Sequence, residues 1–338
     1  MRKAMIDRFR ALTLEQIADE LPKIKNTLIL FHVRPDADAV GSAFALRELL
    51  RVMGVPVWCA CADEIPARLE FLADGAQGSV LLEDGLVIDY ERIISVDSAS
   101  PEQLGSLFSR LRRDVDIMID HHARGRAYAD HYIDPTASAT GEIIYRIAKI
   151  LLSRKVIDEI PARVRNCVYA AISGDTGSFK YSNTTPSAMR IAADLVESGV
   201  DHAAICSSLY DSKPFGQLVA ESEAVRGARF YEDGRVATLL FDYELRESLC
   251  VSAEELDTLI DVIRSIEGVE VAIVIKQPEP TDSYRVSLRS KNDVDVAAVC
   301  SRFGGGGHAR AAGCTIVADS AEAAEEKILG ALQFHMNY

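Results

Sequence analysis

The stretch 32-HVRPDADAVGS-42 follows directly on the apolar run 27-TLILF-31, and it decides the interpretation of the first half of the chain. It combines His32 with Asp36 and Asp38, two residues apart. The apolar run has the continuous hydrophobic character of a strand buried on both faces, as in parallel sheets. The residues after Asp38 have helical periodicity. We therefore expect a buried strand, a polar loop at its carboxyl end, and then a helix.

The alternation of strands and helices continues to about residue 200. Further strands are predicted at 56–62, 92–96 and 115–119, and helices at 38–53, 138–153, 162–173 and 186–198. The last helix has Thr185 as its N-cap and Pro186 at its first position. Apolar strands separated by helices predict a doubly wound parallel sheet, in which ligands bind beyond the carboxyl ends of the strands.

The sequence pattern changes near residue 209. The stretch 209–226 is predicted to be a linker, and 228-ARFYEDGRVATLLF-241 predicts two strands joined by an Asp-Gly turn. The later elements expected are a helix at 252–266, strands at 269–276 and 284–290, a short helix before four glycines, and a helix at 320–333. We expect an α/β protein with a catalytic domain over 1–208 and a smaller α/β domain over 227–338. The active-site cleft would lie between them.

Composition limits the possible classes of protein. The 338 residues are 48% hydrophobic and 26% charged, and no apolar run approaches the roughly 20 residues that span a bilayer. The N-terminus shows no export signal, and the seven cysteines lack CxxC pairs, so we expect a cytoplasmic protein with reduced thiols. A net charge of −14 argues against long duplex nucleic acid as a partner, but not against a small anionic substrate.

Metal-ligand residue types stand at successive junctions between strand and loop. They are His32, Asp36 and Asp38, then Asp97, then Asp120, His121 and His122, and finally Asp175 after an apolar helix. So many carboxylates in one cleft would repel each other and raise their pKa values, and divalent cations remove that cost. Carboxylates and imidazoles without thiolates suit Mn²⁺, with Mg²⁺, Co²⁺ or Fe²⁺ as alternatives. Two such ions suit phosphoryl transfer. Each residue alone has a simpler interpretation, since Asp38 is also placed to cap a helix.

These motifs, in this order, resemble the DHH/DHHA1 phosphoesterases. The matching motifs are 32-HVRPDADAVGS-42, 94-ISVDSAS-100, 119-IDHH-122, 134-DPTASATGEI-143, 174-GDTGSFKYSNTTP-186, 286-VSLRSK-291 and 303-FGGGGHARAAG-313. The resemblance is strongest to the bacterial enzymes that degrade oligoribonucleotides of a few residues (nanoRNases) and also dephosphorylate 3′-phosphoadenosine 5′-phosphate. It also makes a homodimer plausible.

The resemblance implies a set of metal ligands. The first ion would be held by His32, Asp36 and Asp97, and the second by Asp38, Asp97, His121 and Asp175, with Asp97 bridging. Asp120 is implied to orient the imidazoles, and His122 to face the substrate phosphate as an electrostatic stabiliser or proton donor.

The run of four glycines lacks the Lys-Ser/Thr of a nucleotide P-loop. Glycines let the backbone approach a phosphate closely, and the basic residues His308 and Arg289 can add charge-assisted hydrogen bonds. Arg310 is a further candidate in the same basic pocket. The candidate substrate-binding residues are Arg289, Gly305, Gly306, Gly307, His308 and Arg310. The plain alternative is a flexible turn between a helix and a strand. With the resemblance, the second domain is expected to bind the phosphate of a short substrate.

Several functions share these catalytic residues. The leading expectation is hydrolysis of short oligoribonucleotides to mononucleotides and of 3′-phosphoadenosine 5′-phosphate to AMP. A phosphodiesterase for linear dinucleotides such as pApA or pGpG and a RecJ-like single-strand exonuclease are the alternatives, together with a manganese pyrophosphatase and an inactive nucleotide sensor. Arg124 or Arg126, in 122-HARGRAY-128, is expected to affect substrate preference.

Overall fold

The computed structural model describes residues 9–73, 89–211, 213–251, 256 and 258–335. It divides into two compact units, Met1–Ser212 and Lys213–Tyr338, each with its own sheet. Residues 252–255 and 257, which fall within the helix predicted at 252–266, lie outside the described residues.

The first unit is built on a parallel sheet. Its strands are β1 (Thr27–Leu30), β2 (Val57–Ala60), β3 (Arg92–Val96), β4 (Ile117–Asp120) and β5 (Asp130–Ile133). They pair in the order β2-β1-β3-β4-β5, and every pair is parallel. The four strands predicted from the sequence are present. The edge strand β5 was missed because its sequence, Asp-His-Tyr-Ile, is mostly polar and only half-buried.

Seven α-helices of the first unit lie in the described ranges. They are α1 (Leu14–Glu20), α2 (Ala37–Val52), α3 (Ser106–Arg110), α4 (Thr140–Ser153), α5 (Ala162–Asp175), α6 (Pro186–Glu197) and α7 (His202–Cys206). A π-helical turn, Ser207–Asp211, follows α7. The four predicted helices are confirmed, and Thr185 caps α6 by accepting a hydrogen bond from the amide of Ala188.

Both faces of the parallel sheet are buried, which confirms the doubly wound class. Alternate residues of a strand point to opposite faces. Ile29 and Ile94 join the core formed by α2, α4 and α5, whereas Leu28 and Ile93 join a second core on the other face. Since neither face is left to solvent, polar side chains collect where the strands end.

Helices α2, α4 and α5 approach each other through glycines. A Cβ built on Gly41 would lie 2.6 Å from the carbonyl oxygen of Cys167, and one on Gly141 would lie 2.4 Å from the Cβ of Ala171. At Gly174 the nearest atom is the Cβ of Ala37, at 2.5 Å. All three separations are shorter than an ordinary van der Waals contact of 3.4–4 Å. These three positions therefore require glycine, and they set how closely the helices pack.

The second unit contains a mixed sheet. Its strands are β6 (Arg229–Tyr231), β7 (Val236–Phe241), β8 (Val271–Lys276), β9 (Ser283–Ser290), β10 (Gly306–His308) and β11 (Ala311–Val317). Its helices within the described ranges are α8 (Phe215–Gly227), α9 (Tyr243–Leu249), α10 (Leu259–Ser265), α11 (Val296–Ser301) and α12 (Ala321–Gln333). The strand order is β10-β11-β9-β8-β7-β6, in which β7 and β8 are parallel and the other pairs antiparallel.

The stretch 209–226 differs from its prediction as a linker, because most of it forms α8. Ala220 and Ala224, four residues apart, are fully buried in the core that contains Leu239 and Ile260. The opposite face of α8 also carries apolar residues, so the sequence shows no amphipathic contrast that would have indicated a helix. The predicted Asp-Gly turn is confirmed between β6 and β7. The hairpin of β10 and β11 was not predicted.

Within the described ranges, no helix combines the length and the apolar composition that crossing a bilayer requires.

Candidate metal centre

The loop after β1 places two predicted ligands at the start of α2. Asp36 is the N-cap, and its Oδ1 accepts hydrogen bonds from the amides of Asp38 and Ala39, each at 3.0 Å. Asp38, which the sequence also made a candidate cap, instead lies in the first turn and is buried. An aspartate cap followed by a first-turn aspartate puts both carboxylates at the positive end of the helix dipole.

One group of possible ligand atoms consists of His32, Asp36 and Asp97. Its ligand atoms all lie within 4.8 Å of one another. His32 Nε2 is 3.7 Å from Asp36 Oδ1 and 3.5 Å from Asp97 Oδ2. The other ring nitrogen, Nδ1, is 2.8 Å from the carbonyl oxygen of Val33, which leaves Nε2 directed at the carboxylates. This is the second hydrogen bond that a metal-bound histidine normally makes.

A second group consists of Asp38, His121 and Asp175, again within 4.8 Å. His121 Nε2 is 3.7 Å from Asp38 Oδ2 and 3.5 Å from Asp175 Oδ2. Its Nδ1 lies 3.2 Å from the carbonyl oxygen of Ala137. The two histidines thus have the same arrangement, with a backbone carbonyl behind each ring.

Asp97 stands between the two groups. Its Oδ2 faces His32, and its Oδ1 is 3.7 Å from His121 Nε2. The residue follows β3 with φ of 53°, a left-handed conformation that is uncommon for residues other than glycine, although aspartate adopts it more readily than most. Such strain is found where the surrounding structure requires a particular side-chain direction. Asp97 thus directs one carboxylate oxygen towards the histidine of each group.

Asp38 is held by donors from two helices. Its Oδ2 accepts from the amide of Thr140 at 2.7 Å, and its Oδ1 accepts from the amide of Gly141 at 2.9 Å and from Ser42 Oγ at 2.8 Å. Thr140 Oγ1 also donates to Asp97 Oδ1, at 3.0 Å. The start of α4 therefore fixes one carboxylate in each group. Thr140 and Gly141 lie in the motif 134-DPTASATGEI-143, but nothing in the sequence indicates this role.

Asp120 acts on only one imidazole. Its Oδ1 lies 2.7 Å from His122 Nδ1, while its Oδ2 is buried without a hydrogen-bond partner. The expectation that Asp120 orients both rings is therefore too broad, since the carbonyl of Ala137 holds His121. His122 Nδ1 is also 3.7 Å from Asp97 Oδ1, and these two residues form a third possible ligand group with His121.

The pKa values of the site residues are shifted because several acids are buried close together. Burial raises the pKa of Asp175 to about 7, and the charges of Asp36 and Asp97 act in the same direction. Burial, together with Asp97 and Asp175, raises the pKa of Asp38 well above its usual range. Burial alone would lower the pKa of His122, but the hydrogen bond to Asp120 and the charge of Asp97 raise it to about 9.

The chain after Asp175 takes an unusual path. Gly177, Ser178 and Phe179 have φ of 55°, 58° and 62°, three successive left-handed residues. The turn is held by the amide of Ser178, which donates to the carbonyl of Ser173 at 2.7 Å. Asn183, which sequence reasoning did not single out, donates to the backbone carbonyl of Asp175 at 3.0 Å and approaches Asp175 Oδ2 at 3.4 Å.

The donor set fits divalent cations. Asp38 and Asp97 are each only 1% exposed, yet no lysine or arginine among the described residues forms an ion pair with a carboxylate of the two groups. Buried charges are normally paired or coordinate metals. The ligand atoms are oxygens and imidazole nitrogens, which suit Mn²⁺ and Mg²⁺ better than softer ions.

The glycine-rich segment of the second unit is more ordered than a flexible turn. The amide of Gly305 donates to the carbonyl of Cys300 at 3.0 Å, and β10 (Gly306–His308) forms the exposed edge of the sheet. An edge strand presents backbone amides that no neighbouring strand uses. A Cβ at Gly305 would lie 2.2 Å from the carbonyl oxygen of Gly313, so this position requires glycine.

The pairing of β10 with β11 also requires glycine at position 307. Gly307 lies opposite Ala312 and has φ of 137°, a conformation that residues with a side chain rarely adopt. A Cβ there would lie 2.4 Å from the carbonyl oxygen of Ala311. The expectation that the glycines serve close approach of a phosphate is therefore incomplete, because at Gly305 and Gly307 the hairpin itself already excludes a side chain. At Gly306 a Cβ would meet nothing within 4 Å, so packing does not require glycine at this position.

The basic residues predicted for this segment are differently placed. His308 lies on the exposed edge strand β10, and Arg289 lies in β9 opposite Ala311 of β11. The guanidinium of Arg310 donates to the carbonyl of Val294 at 2.9 Å, which gives it a structural role in the same hairpin.

The fold and the ligand groups define a metal-dependent phosphoesterase, and comparison with known proteins places the chain more closely. Residues 26–172 match the model for the DHH family N-terminal domain, and residues 243–333 match the DHHA1 domain. The chain belongs to the DHH/DHHA1 phosphoesterase family.

Relatives cover nearly the whole chain. The "Bifunctional oligoribonuclease and PAP phosphatase NrnA" of Thermus thermophilus is 28% identical over 94% of this chain and 92% of its own length. The "Probable bifunctional oligoribonuclease and PAP phosphatase NrnA" of Streptococcus mutans is 30% identical over 87% of this chain and 91% of its own. An exopolyphosphatase-related protein of Bacteroides fragilis shares the fold, with a TM-score of 0.85, 21% identity and 95% coverage of both chains.

Proposed function

We propose that this protein hydrolyses oligoribonucleotides of a few residues to mononucleotides and converts 3′-phosphoadenosine 5′-phosphate to AMP, using two Mn²⁺ ions. The observation that carries the proposal is the pair of ligand groups that meet at Asp97. The names of the relatives from Thermus thermophilus and Streptococcus mutans, which include oligoribonuclease and PAP phosphatase, support the choice of substrates.

His32, Asp36 and Asp97 would hold one ion, and Asp38, Asp97, His121 and Asp175 the other. When bound, two divalent ions stabilise the charge that develops on the attacking and leaving oxygens of a phosphoryl transfer. The raised pKa values of Asp38 and Asp175 support this assignment, because cations would stabilise the charged carboxylates against the burial and the repulsion that raise these values.

His122 has the properties of a proton donor to the leaving oxygen. Asp120 accepts the hydrogen bond of Nδ1, so the transferable proton of the imidazolium is the one on Nε2. Burial alone would lower the pKa of this ring, but the hydrogen bond to Asp120 raises it and so favours the protonated form. Asp120 therefore orients the donor and stabilises its charge, as the carboxylate partner of a catalytic histidine does.

The second unit is proposed to bind a phosphate of the substrate. The backbone amides of the edge strand β10, His308 and Arg289 supply the chemistry for an anion. Recognition of one phosphate, rather than of a long backbone, is consistent with a net charge of −14. Such a site favours short substrates.

The deciding experiment is a product profile with purified protein and Mn²⁺. The substrates are 5′-phosphorylated diadenylate, 3′-phosphoadenosine 5′-phosphate and a 24-residue oligonucleotide, and the products are resolved by ion-exchange chromatography. We expect rapid release of AMP from the first two and little from the third. Activity on diadenylate alone would favour the linear-dinucleotide phosphodiesterase. Degradation of the 24-mer would favour a RecJ-like exonuclease and contradict the proposal, as would full activity without a divalent ion.

A further inference from the structure

Asp175 differs from the other carboxylates in how weakly its side chain is anchored. Asp38 accepts three hydrogen bonds, at 2.7, 2.8 and 2.9 Å. Among the described residues, the carboxylate of Asp175 has only two long contacts with nitrogen atoms, Asn183 Nδ2 at 3.4 Å and His121 Nε2 at 3.5 Å. The position of this carboxylate must therefore be set by the backbone that carries it.

That backbone is the end of α5, and it leads into the three left-handed residues 177–179. Left-handed conformations of Ser178 and Phe179 are unfavourable on their own and persist only where contacts enforce them. The amide of Phe179 donates to Thr176 Oγ1 at 3.1 Å, and two further contacts meet at the carbonyl oxygen of Ser173. It accepts from the amide of Ser178 at 2.7 Å and from the hydroxyl of Tyr210 at 2.6 Å.

Tyr210 contacts the chain on both sides of Asp175. Its hydroxyl oxygen is also 3.1 Å from Ser173 Oγ, two residues before Asp175. Its ring centroid lies 6.0 Å from Lys180 Nζ, five residues after Asp175. Tyr210 belongs to the π-helical turn Ser207–Asp211, the last described element of the first unit. The second unit begins at Lys213, only three residues further along the chain.

We propose that Tyr210 is a positioning residue that holds Asp175 in the metal centre, and that it couples this ligand to the segment connecting the two units. The inference rests on the proposed metal centre. Tyr210 does not touch a cation or the substrate in this proposal. It acts through the carbonyl of Ser173, so that a change in the turn at 207–211 alters the position of Asp175.

The coupling must be reciprocal. If the turn stabilises the binding position of Asp175, cation binding at Asp175 must stabilise the turn by the same free energy. Amide hydrogens of residues 207–211 should then exchange more slowly when Mn²⁺ is added. A tyrosine that merely fills space would show no such response.

The test compares Tyr210→Phe with two controls. Tyr145→Phe removes a hydroxyl from α4, where the ring is 5.7 Å from Lys149 Nζ rather than beside the metal centre. Ser173→Ala removes the hydroxyl contact with Tyr210 but keeps the carbonyl acceptor. Free Mn²⁺ is counted by electron paramagnetic resonance during titration, and exchange of 207–211 is followed by mass spectrometry with and without Mn²⁺.

We expect Tyr210→Phe to lower the affinity for one of the two Mn²⁺ ions about 10-fold. This is the lower end of the effects on metal affinity seen for residues that orient metal ligands. The other ion should bind as in the wild type, and Mn²⁺ should no longer slow exchange in the turn. Both controls should resemble the wild type.

Two Mn²⁺ ions bound with wild-type affinity by Tyr210→Phe would overturn the inference and leave the proposed function intact. So would equal weakening of both ions with a lowered melting temperature, which would indicate a general structural role. A wild-type protein that binds no Mn²⁺ would instead contradict the proposed function.

Discussion

Replacement of Gly141 by alanine tests whether the packing of α4 on α5 positions the metal centre. The new Cβ would lie 2.4 Å from the Cβ of Ala171, against 3.4–4 Å for an ordinary contact, so the helices must separate by about 1 Å. Overpacking of this kind costs roughly 1–3 kcal/mol, and the better helix propensity of alanine offsets about 1 kcal/mol of it. The first unit should therefore lose up to about 2 kcal/mol, or up to roughly 8 °C in melting temperature.

The metal centre should weaken together with the fold. The amide of Gly141 donates to Asp38 Oδ1 at 2.9 Å, and the same displacement would lengthen this hydrogen bond. We expect Mn²⁺ affinity to fall about 10-fold, as when other groups that orient a metal ligand are changed. Calorimetric unfolding and Mn²⁺ titration of the same preparations measure both effects.

The double variant Gly141→Ala/Ala171→Gly provides the internal control. Once the methyl group of Ala171 is gone, the nearest of the remaining contacts of the new Cβ is Asp38 Oδ1, at an ordinary 3.5 Å. Moving one methyl group across the interface should return stability to within about 1 kcal/mol of the wild type, so the two single effects would not add. Gly330→Ala, in a helix where nothing lies within 4 Å, should be neutral or stabilising. A Gly141→Ala protein with wild-type Mn²⁺ affinity, or additive effects in the double variant, would refute the reasoning.

Three further predictions follow from the site. Because burial raises the pKa of Asp175 from 3.8 to about 7, this residue should make the metal-free protein lose stability as pH rises between these values, and Mn²⁺ affinity should rise over the same range. A titration of Asp175→Asn should show both trends weakened, and the remainder should come from Asp38, whose pKa is also raised. Chelation by EDTA should lower the melting temperature of the first unit and leave that of the second unchanged, because both ligand groups lie in residues 32–175. Added Mn²⁺ should restore the melting temperature of the first unit. Equal effects on both units in calorimetry would contradict this. Arg124→Ala should change the ratio of kcat/KM for diadenylate to that for 3′-phosphoadenosine 5′-phosphate at least threefold. Arg126→Ala should change this ratio less, because Arg126 already pairs with Glu102 at 3.0 Å. If the ratio is the same in both variants, Arg124 has no role in specificity.

The architecture of the first unit could be predicted from the sequence because its strands are apolar throughout. A strand such as 92–96 is a run of mostly apolar residues that can be recognised whatever it packs against. Most of the histidines and aspartates of the site come shortly after such strands. The polar edge strand β5 has no such signature, since it is buried on neither face completely. Helix α8 was missed for the opposite reason, because Phe215 and Leu218 make its exposed face apolar as well.

The site was predictable in its residue types but not in its internal connections. The sequence indicates that His32 and Asp38 belong to a metal-binding motif. It does not show that Thr140 lies beside Asp38, because the two are 102 residues apart and meet only when α4 packs on α2. Asn183 and Tyr210 were unrecognisable for the same reason, since each acts on Asp175 through contacts that only the folded chain creates.

The glycine contacts among α2, α4 and α5 give the centre a fixed width. Ligands on long, rotatable side chains can adjust to ions of different radius. Here the distance between the ligands depends on helices that already touch at Gly41, Gly141 and Gly174. Moving the ligands closer around a smaller ion would force these helices into each other. Moving them apart would break the hydrogen bonds from the start of α4 to Asp38. We therefore expect the packing of these helices to influence which divalent ion the centre accepts, through residues that would not touch the ion.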